Sequence, residues 1–253
     1  MKTKRSILLL IFTTFSFVAF AQIDMKAEEE KLIETLKMLR TPDSETDMGK
    51  VAAQFETELT TLLRKKESWS YRFPELRKYI DIKRSSDRKI RTFSWDSRLG
   101  GSWHTLETRI QHETANGLQV FSLQNKKLVD DEEQEGNEVY RDAIIIDIHS
   151  FANGYVFEGF GTHGSGHHHK VLMYYELSGD TLVRKEIFEN NESIYVLLIP
   201  RRYDFDLSFD FEAQTITHSE FKMDDEIGFY MPTGKKVLLT FDGKKFKKQL
   251  KKI

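Results

Sequence analysis

Two periodicities divide the chain. Between residues 23 and 66, apolar side chains recur every three or four positions. Leu32, Ile33, Leu36 and Leu39 follow a charged stretch at 26–31, which is the spacing of a helix that buries one face. Thr41-Pro42-Asp43-Ser44 interrupts the pattern, since proline and short polar residues favour turns. Ser44 with Asp47 then offers an N-cap for a second helix, along which Met48, Val51, Phe55, Leu59 and Leu62 lay an apolar stripe that ends near Arg64-Lys65-Lys66. Cations there complement the negative C-terminal end of a helix. The pattern predicts a helical hairpin over residues 22–68.

From about residue 77 the period falls to two. Residues 88–95 alternate, and residues 203–212 do so most cleanly. There Phe205, Leu207, Phe209 and Phe211 fall on one side and Asp204, Asp206, Ser208, Asp210 and Glu212 on the other, as in a half-buried strand. Further strand candidates lie near 79–84, 102–113, 118–124, 143–149, 154–160, 170–177, 181–189, 194–199, 214–221 and 236–248. Short turns such as Asn116-Gly117, Asn153-Gly154, Ser178-Gly179-Asp180 and Asp242-Gly243 separate them. Connections this short leave no room for crossover helices, so the strands must pair antiparallel. The expected class is α+β, mainly β: the helical hairpin, then an antiparallel β-meander over residues 69–253 folded as a curved sheet, a sandwich or an incomplete propeller. Residues 125–142 interrupt the series with seven carboxylates, among them Asp130, Asp131, Glu132 and Asp142. Like-charge repulsion makes this an exposed loop rather than a calcium cage.

The first residues change the picture. Lys2, Lys4 and Arg5 precede an uncharged, largely apolar run at 7–20, and Ala19-Phe20-Ala21 stands before Gln22. Those are the three parts of a secretory signal peptide. Residues 1–21 are therefore expected to be cleaved between Ala21 and Gln22, releasing a periplasmic or secreted chain with no transmembrane segment. The 253 residues carry 38 Lys plus Arg against 40 Asp plus Glu, so cleavage, which removes only bases, leaves a mildly acidic product. Such a balance gives no bias toward nucleic acid. The absence of cysteine excludes a disulfide scaffold, thiolate metal sites, a thiol nucleophile and a lipoprotein anchor. An exported domain without disulfides fits a bacterial envelope, where Asn191-Glu192-Ser193 reads as a turn rather than a glycosylation site.

One stretch carries a resemblance. Ser86-Asp87-Arg88-Lys89-Ile90-Arg91, then Phe93-Ser94-Trp95-Asp96, then Gly100-Gly101, preceded by residues 69–82, resembles a family of uncharacterised exported proteins from Bacteroidota-type bacteria. In that family a helical N-terminal part leads into a β-rich body. The resemblance covers residues 55–125 and, more loosely, the later strands and the closing hairpin at 239–244. It implies export and this architecture, and implies nothing about mechanism. Read physically, Trp95 buries a large ring, Asp96 caps the following turn, and the glycines allow positive φ.

Few residues offer chemistry. Gly161-Thr162-His163-Gly164-Ser165-Gly166-His167-His168-His169 concentrates four imidazoles, and neutral imidazole binds zinc or copper. The candidate ligands are His163, His167 and His169, against the plainer account of a solvated hairpin loop. Ser165 is no hydrolase nucleophile, because histidines stand where the Gly-x-Ser-x-Gly elbow needs its glycines. On the strand at 143–150, alternation sets Asp147 and His149 opposite Ile144, Ile146 and Ile148, a pair able to orient a base but lacking a third partner. The acidic row at 204–212 departs from an EF-hand, with Phe209 where glycine is needed and Thr215 where glutamate is needed. The lysines at 244–252 suit a polyanion contact or a charged edge strand that resists pairing. Trp103 and His104, beyond the Gly-Gly break, are the candidate aromatic binding residues, against the plainer account of core packing for both tryptophans; Trp95, on one strand face with Phe93, is the stronger core residue.

No phosphate loop, dinucleotide fingerprint or nucleophile elbow occurs. The expectation is an exported, non-catalytic binding or interaction module of the bacterial envelope, with an envelope protein, peptide or glycan as partner and no cofactor. The alternative is a metal-dependent enzyme or metal-binding protein built on the His163–His169 loop with zinc or copper.

Overall fold

A computed structural model describes residues 23–101, 104–123, 140–163, 166–204 and 206–252. The signal segment with Ala21 and Gln22, Trp103, Phe205, Gly164-Ser165 and most of the acidic stretch at 125–142 lie outside the described residues. Among those described, no helix is long and apolar enough to cross a membrane.

The helical hairpin forms as its periodicity requires. α1 (Met25–Arg40) starts where Asp24 accepts from the Lys26 and Ala27 amides. α2 (Met48–Leu63) starts at Asp47, which accepts from Lys50 N, so Asp47 rather than Ser44 is the cap. A short α3 (Lys66–Ser70) extends the helical part beyond the expected hairpin. Glu29, 1% exposed on α1, ties the linker down. Its carboxylate accepts from Tyr71 Oη at 2.6 Å and from the Glu75 and Leu76 amides at 2.9 and 2.7 Å.

Among the described residues, thirteen antiparallel strands follow in three sheets. The first sheet is β1 (Asp81–Arg84), β2 (Ile90–Asp96), β3 (Leu106–Thr114) and β4 (Gly117–Ser122), in that order. The second comprises β5 (Ile144–Phe151), β6 (Gly154–His163), β7 (His167–Ser178), β8 (Thr181–Arg184) and β9 (Ile194–Pro200). There β8 pairs with the C-terminal part of β7 and β9 with its N-terminal part. The third is β10 (Ser208–Asp210), β11 (Thr215–Asp224), β12 (Phe229–Phe241) and β13 (Phe246–Lys252).

Three apolar clusters stack these layers in chain order. Helical Leu36, Phe55, Leu59 and Leu63 pack on Phe93 and Trp95 of the first sheet. Ile90 and Ile110, from the same sheet, pack on Ile145, Phe157, Val171 and Met173 of the second. The opposite face of the second sheet gives Phe151, Val156, Leu172 and Tyr174 to Ile216, Val237, Leu239 and Phe246 of the third. The second sheet is therefore apolar on both faces. Trp95 is 2% exposed, edge-on to Phe55 with centroids 5.2 Å apart, in the core as expected.

Three local expectations are corrected. Residues 203–212 are not one strand. Tyr203 closes a turn onto the Pro200 carbonyl, and among the described residues of this stretch only Ser208–Asp210 forms a ladder. Asp206 instead accepts from Ser219 N and Oγ at 2.8 and 2.7 Å, a side-chain bond that competes with strand pairing. On β5 the register shifts between Ile145 and Asp147, so a bulge moves Ile145 rather than Ile144 and Ile146 onto the core face with Ile148. Third, residues 161–163 and 167–169 are strand rather than loop. They form the end of the β6–β7 ladder, with His163 opposite His167, Thr162 opposite His168 and Gly161 opposite His169.

Candidate functional site

Alternation along β7 sends His167 and His169 to one face and His168 to the other. His169 is 1% exposed, edge-on to Tyr140 at 5.2 Å, and its ring covers Gly161. His167 rests between Phe229 and Tyr230, each 5.6 Å away. His168 leans on Phe160, and burial, assisted by the Arg201 charge, holds its pKa below the ordinary imidazole value. Among the described residues no group of three or more His, Cys, Asp or Glu is arranged to hold a metal. The buried His167 Nε2 and His168 Nδ1 have no hydrogen-bond partner among the described residues, and their opposite faces keep them from sharing an ion.

Asp147 and His149 do share a face. His149 Nε2 lies 3.3 Å from Glu158 Oε2 and 3.9 Å from Asp147 Oδ2, and Lys170 Nζ lies 2.7 Å from Glu158 Oε1. Burial pushes the Glu158 carboxyl up, but hydrogen bonds from His149 and Lys170 outweigh it and hold the pKa down. The His149 ring is stacked on Phe209 at 5.5 Å with 5° between planes, and Phe211 is 5.0 Å away. This cluster fastens β10 to the second sheet. His104, the described member of the Trp103–His104 pair, places Nδ1 2.5 Å from Asp96 Oδ2. Asp96 Oδ1 also accepts the Arg98 amide at 2.8 Å, capping the turn as expected. Lys247, Lys248 and Lys251 lie on β13, an outer strand of the third sheet.

The richest convergence lies elsewhere, in a cleft of about 460 Å³ between β9 and the β11–β12 ribbon. Residues 195–198 of β9 form one wall, and Tyr140, His218, Glu220 and Tyr230 converge on it. Among the described residues β9 pairs with β7 alone. Its outer edge, which borders the cleft and has β12 nearby, therefore carries no ladder among the described residues.

At the cleft base His218 is 2% exposed. Its Nδ1 lies 2.7 Å from the Ser219 carbonyl, and Nε2 lies 2.7 Å from Tyr195 Oη. A carbonyl only accepts, so Nδ1 carries the proton and Nε2 accepts from the Tyr195 hydroxyl. Burial lowers the imidazole pKa, the Ser219 carbonyl opposing it, and burial with the Glu189 and Glu220 charges raises that of the phenol. Both groups are thus held neutral. Glu220 accepts the Thr233 hydroxyl at 2.6 Å, and Lys222 and Lys248 bring positive charge to the cleft.

No sequence signal singles out this site. Tyr195 and His218 stand 23 positions apart on strands that do not pair, and only the packing of the third sheet against β9 joins them. Comparison with protein-family models, curated proteins and solved structures finds no match to this chain.

Proposed function

We propose that the mature chain is an exported, non-catalytic interaction module that takes up an extended peptide segment of an envelope partner along β9. The observation that carries this reading is the open β9 edge lining a tyrosine-bordered cleft. An added strand satisfies the outward backbone groups, and side-chain pockets supply selectivity. Tyr140, Tyr195 and Tyr230 offer rigid amphipathic contact surface at little entropic cost. The neutral Tyr195–His218 pair supports binding rather than bond cleavage. The phenol is kept protonated, and the Nε2 lone pair that a general base would use already accepts its hydrogen.

Export rests on the N-terminal pattern of Lys2, Lys4 and Arg5, the apolar run and Ala19-Phe20-Ala21. Intact mass of the exported chain should begin at Gln22, and a mass that retains Met1 would make the segment an anchor. For the cleft, a peptide selected on the mature protein from a random display library should slow amide exchange at residues 195–198 and lose about tenfold in affinity on Tyr195→Ala or Tyr230→Ala, the usual scale for an interface aromatic. Selected peptides indifferent to both substitutions, or a glycan array hit in place of any peptide, would overturn the peptide reading.

The metal alternative has one observation in its favour, the ladder position of His163 opposite His167 on the strand pair that also carries His169. Metal analysis of untagged protein purified without metal resins separates the two readings. Stoichiometric zinc or copper that disappears when His163, His167 and His169 become alanine would establish the metal site.

A further inference from the structure

The peptide cleft leaves one strongly charged region unused. Where α3 and the linker after it meet β1 and β2, a groove of about 600 Å³ is lined by Arg72, Arg77, Lys83, Arg84, Arg88 and Arg91, with Trp69 at its side and no Asp or Glu in its wall. None of these six cations makes an ion pair among the described residues. Like charges gathered this closely repel, and exposed bases ordinarily alternate with acids. Arg88 holds a left-handed φ of 63° in the β1–β2 turn, where Asp87 accepts from the Ser85 hydroxyl and the Lys89 amide.

Arg91 forms the inner end of the groove. It is 4% exposed, and its guanidinium donates only to neutral acceptors: Gln111 Oε1 at 3.0 and 2.6 Å, the Tyr71 carbonyl at 2.8 Å and the Ser68 carbonyl at 2.5 Å. Burial, and then the Arg84 charge, push its pKa down to about 9, so it remains cationic near pH 7. Arg84 lies over the Trp69 ring with its guanidinium carbon 4.2 Å from the centroid. Stacking occupies the face of that group; apart from Nη1, which reaches the Trp69 carbonyl at 3.4 Å, its N–H edge is left to donate in plane. Burial and the Arg88 charge also lower Arg84, with Glu113, which is not part of the groove wall, partly offsetting them.

We infer that this groove is an anion-binding site for a ligand carrying several tetrahedral oxyanions, phosphate or sulfate esters spaced along a sugar backbone. Five of the six cations are arginine, whose planar fork matches such groups with two parallel hydrogen bonds. A buried guanidinium without a carboxylate partner gains most when an anion arrives. Six charges exceed what one inorganic phosphate neutralises, which favours a ligand with several charged groups. This inference does not rest on the β9 cleft reading, since the two sites share no residue.

Calorimetric titration of the mature protein with inositol hexakisphosphate and with a sulfated heparin hexasaccharide tests it. Both should bind, and inorganic phosphate should bind far more weakly. A preference between the two indicates whether phosphate or sulfate esters are the better groups. Arg84→Gln and Arg88→Gln, at exposed positions that leave the Arg91 network intact, should each weaken binding about tenfold, the loss expected for one charge-assisted contact. Lys247→Gln with Lys251→Gln, which removes charge from β13, should leave it unchanged. Absence of binding by both polyanions, or equal losses from the β13 and groove substitutions, would overturn the inference, the second outcome by reducing it to attraction between net charges. Preferential capture of a single-stranded oligonucleotide over both sugar ligands would also overturn it.

Discussion

The Arg91 guanidinium donates to one oxygen of Gln111 twice, through Nε at 3.0 Å and Nη2 at 2.6 Å. Gln111 in turn donates from Nε2 to the Leu63 carbonyl at 2.6 Å and to Ser68 Oγ at 2.8 Å. The pair thereby joins β2 and β3 to the end of α2 and to α3, and gives the Leu63 carbonyl at the helix end a second donor beside the Ser68 hydroxyl at 3.1 Å. Gln111→Leu keeps the bulk but leaves these donors and acceptors unmet around a buried cation. It should lower unfolding free energy by about 2–4 kcal/mol. A urea midpoint unchanged from the parent would show that water replaces the network.

The contact between Trp95 and Phe55 makes the helical hairpin part of the β body's core. Trp95→Ala should cost about 3–5 kcal/mol, as large-to-small substitutions at buried aromatic positions do. Phe55→Leu should cost less, and the two losses should not add, because the rings touch. Additive losses in a double-mutant cycle on urea unfolding would mean the hairpin and first sheet do not form one packed unit.

Gly161 and His169 face each other across the β6–β7 ladder, and a Cβ on Gly161 would stand 2.4 Å from His169 Cε1. Gly161→Ala should therefore displace the imidazole from Tyr140 and cost about 1–3 kcal/mol, the range for overpacking. Adding His169→Ala should recover part of that loss by vacating the space. Proton shifts of the Tyr140 ring report the displacement directly, and a second substitution that only deepens the loss would contradict the steric account.

Acid stability should carry a signature of Asp142. Burial, reinforced by the Glu107 charge and opposed by Arg141, raises its pKa from 3.8 to about 6. Between those values the native chain holds a proton that the unfolded chain has released, so this group's contribution falls as pH rises through that window. Asp142→Asn removes the dependence and should raise stability at pH 7 by on the order of 1–2 kcal/mol. Denaturation at about pH 4 and pH 7 checks it. The variant should gain over the parent at the higher pH and not at the lower, and the reverse order would place the raised pKa elsewhere.

The helical hairpin, the antiparallel β body, most turns and the burial of Trp95 are legible in the amino-acid pattern alone. These rest on local periodicity and turn chemistry, which need no knowledge of what packs against what. The hydrophobic stripe Val51, Phe55, Leu59 and Leu62 reports its own helix, and Asn153-Gly154 reports its own hairpin. The strand expected at 203–212 failed because Asp206 bonds to Ser219 on β11, a partner that alternation cannot reveal. On β5 the expectation failed only before Asp147, at Ile144 and Ile146, because one bulge shifts a period-two pattern by a residue.

Only tertiary structure decided the candidate sites. Tyr195 meets His218 because the third sheet packs against β9, and Arg72 meets Arg91 because the linker crosses the first sheet. The histidine run, conspicuous as a string of letters, is divided between two faces by the pleat of β7. Periodicity constrains each element along its own axis, whereas a site is set by the long-range packing of elements whose relative placement no local pattern encodes.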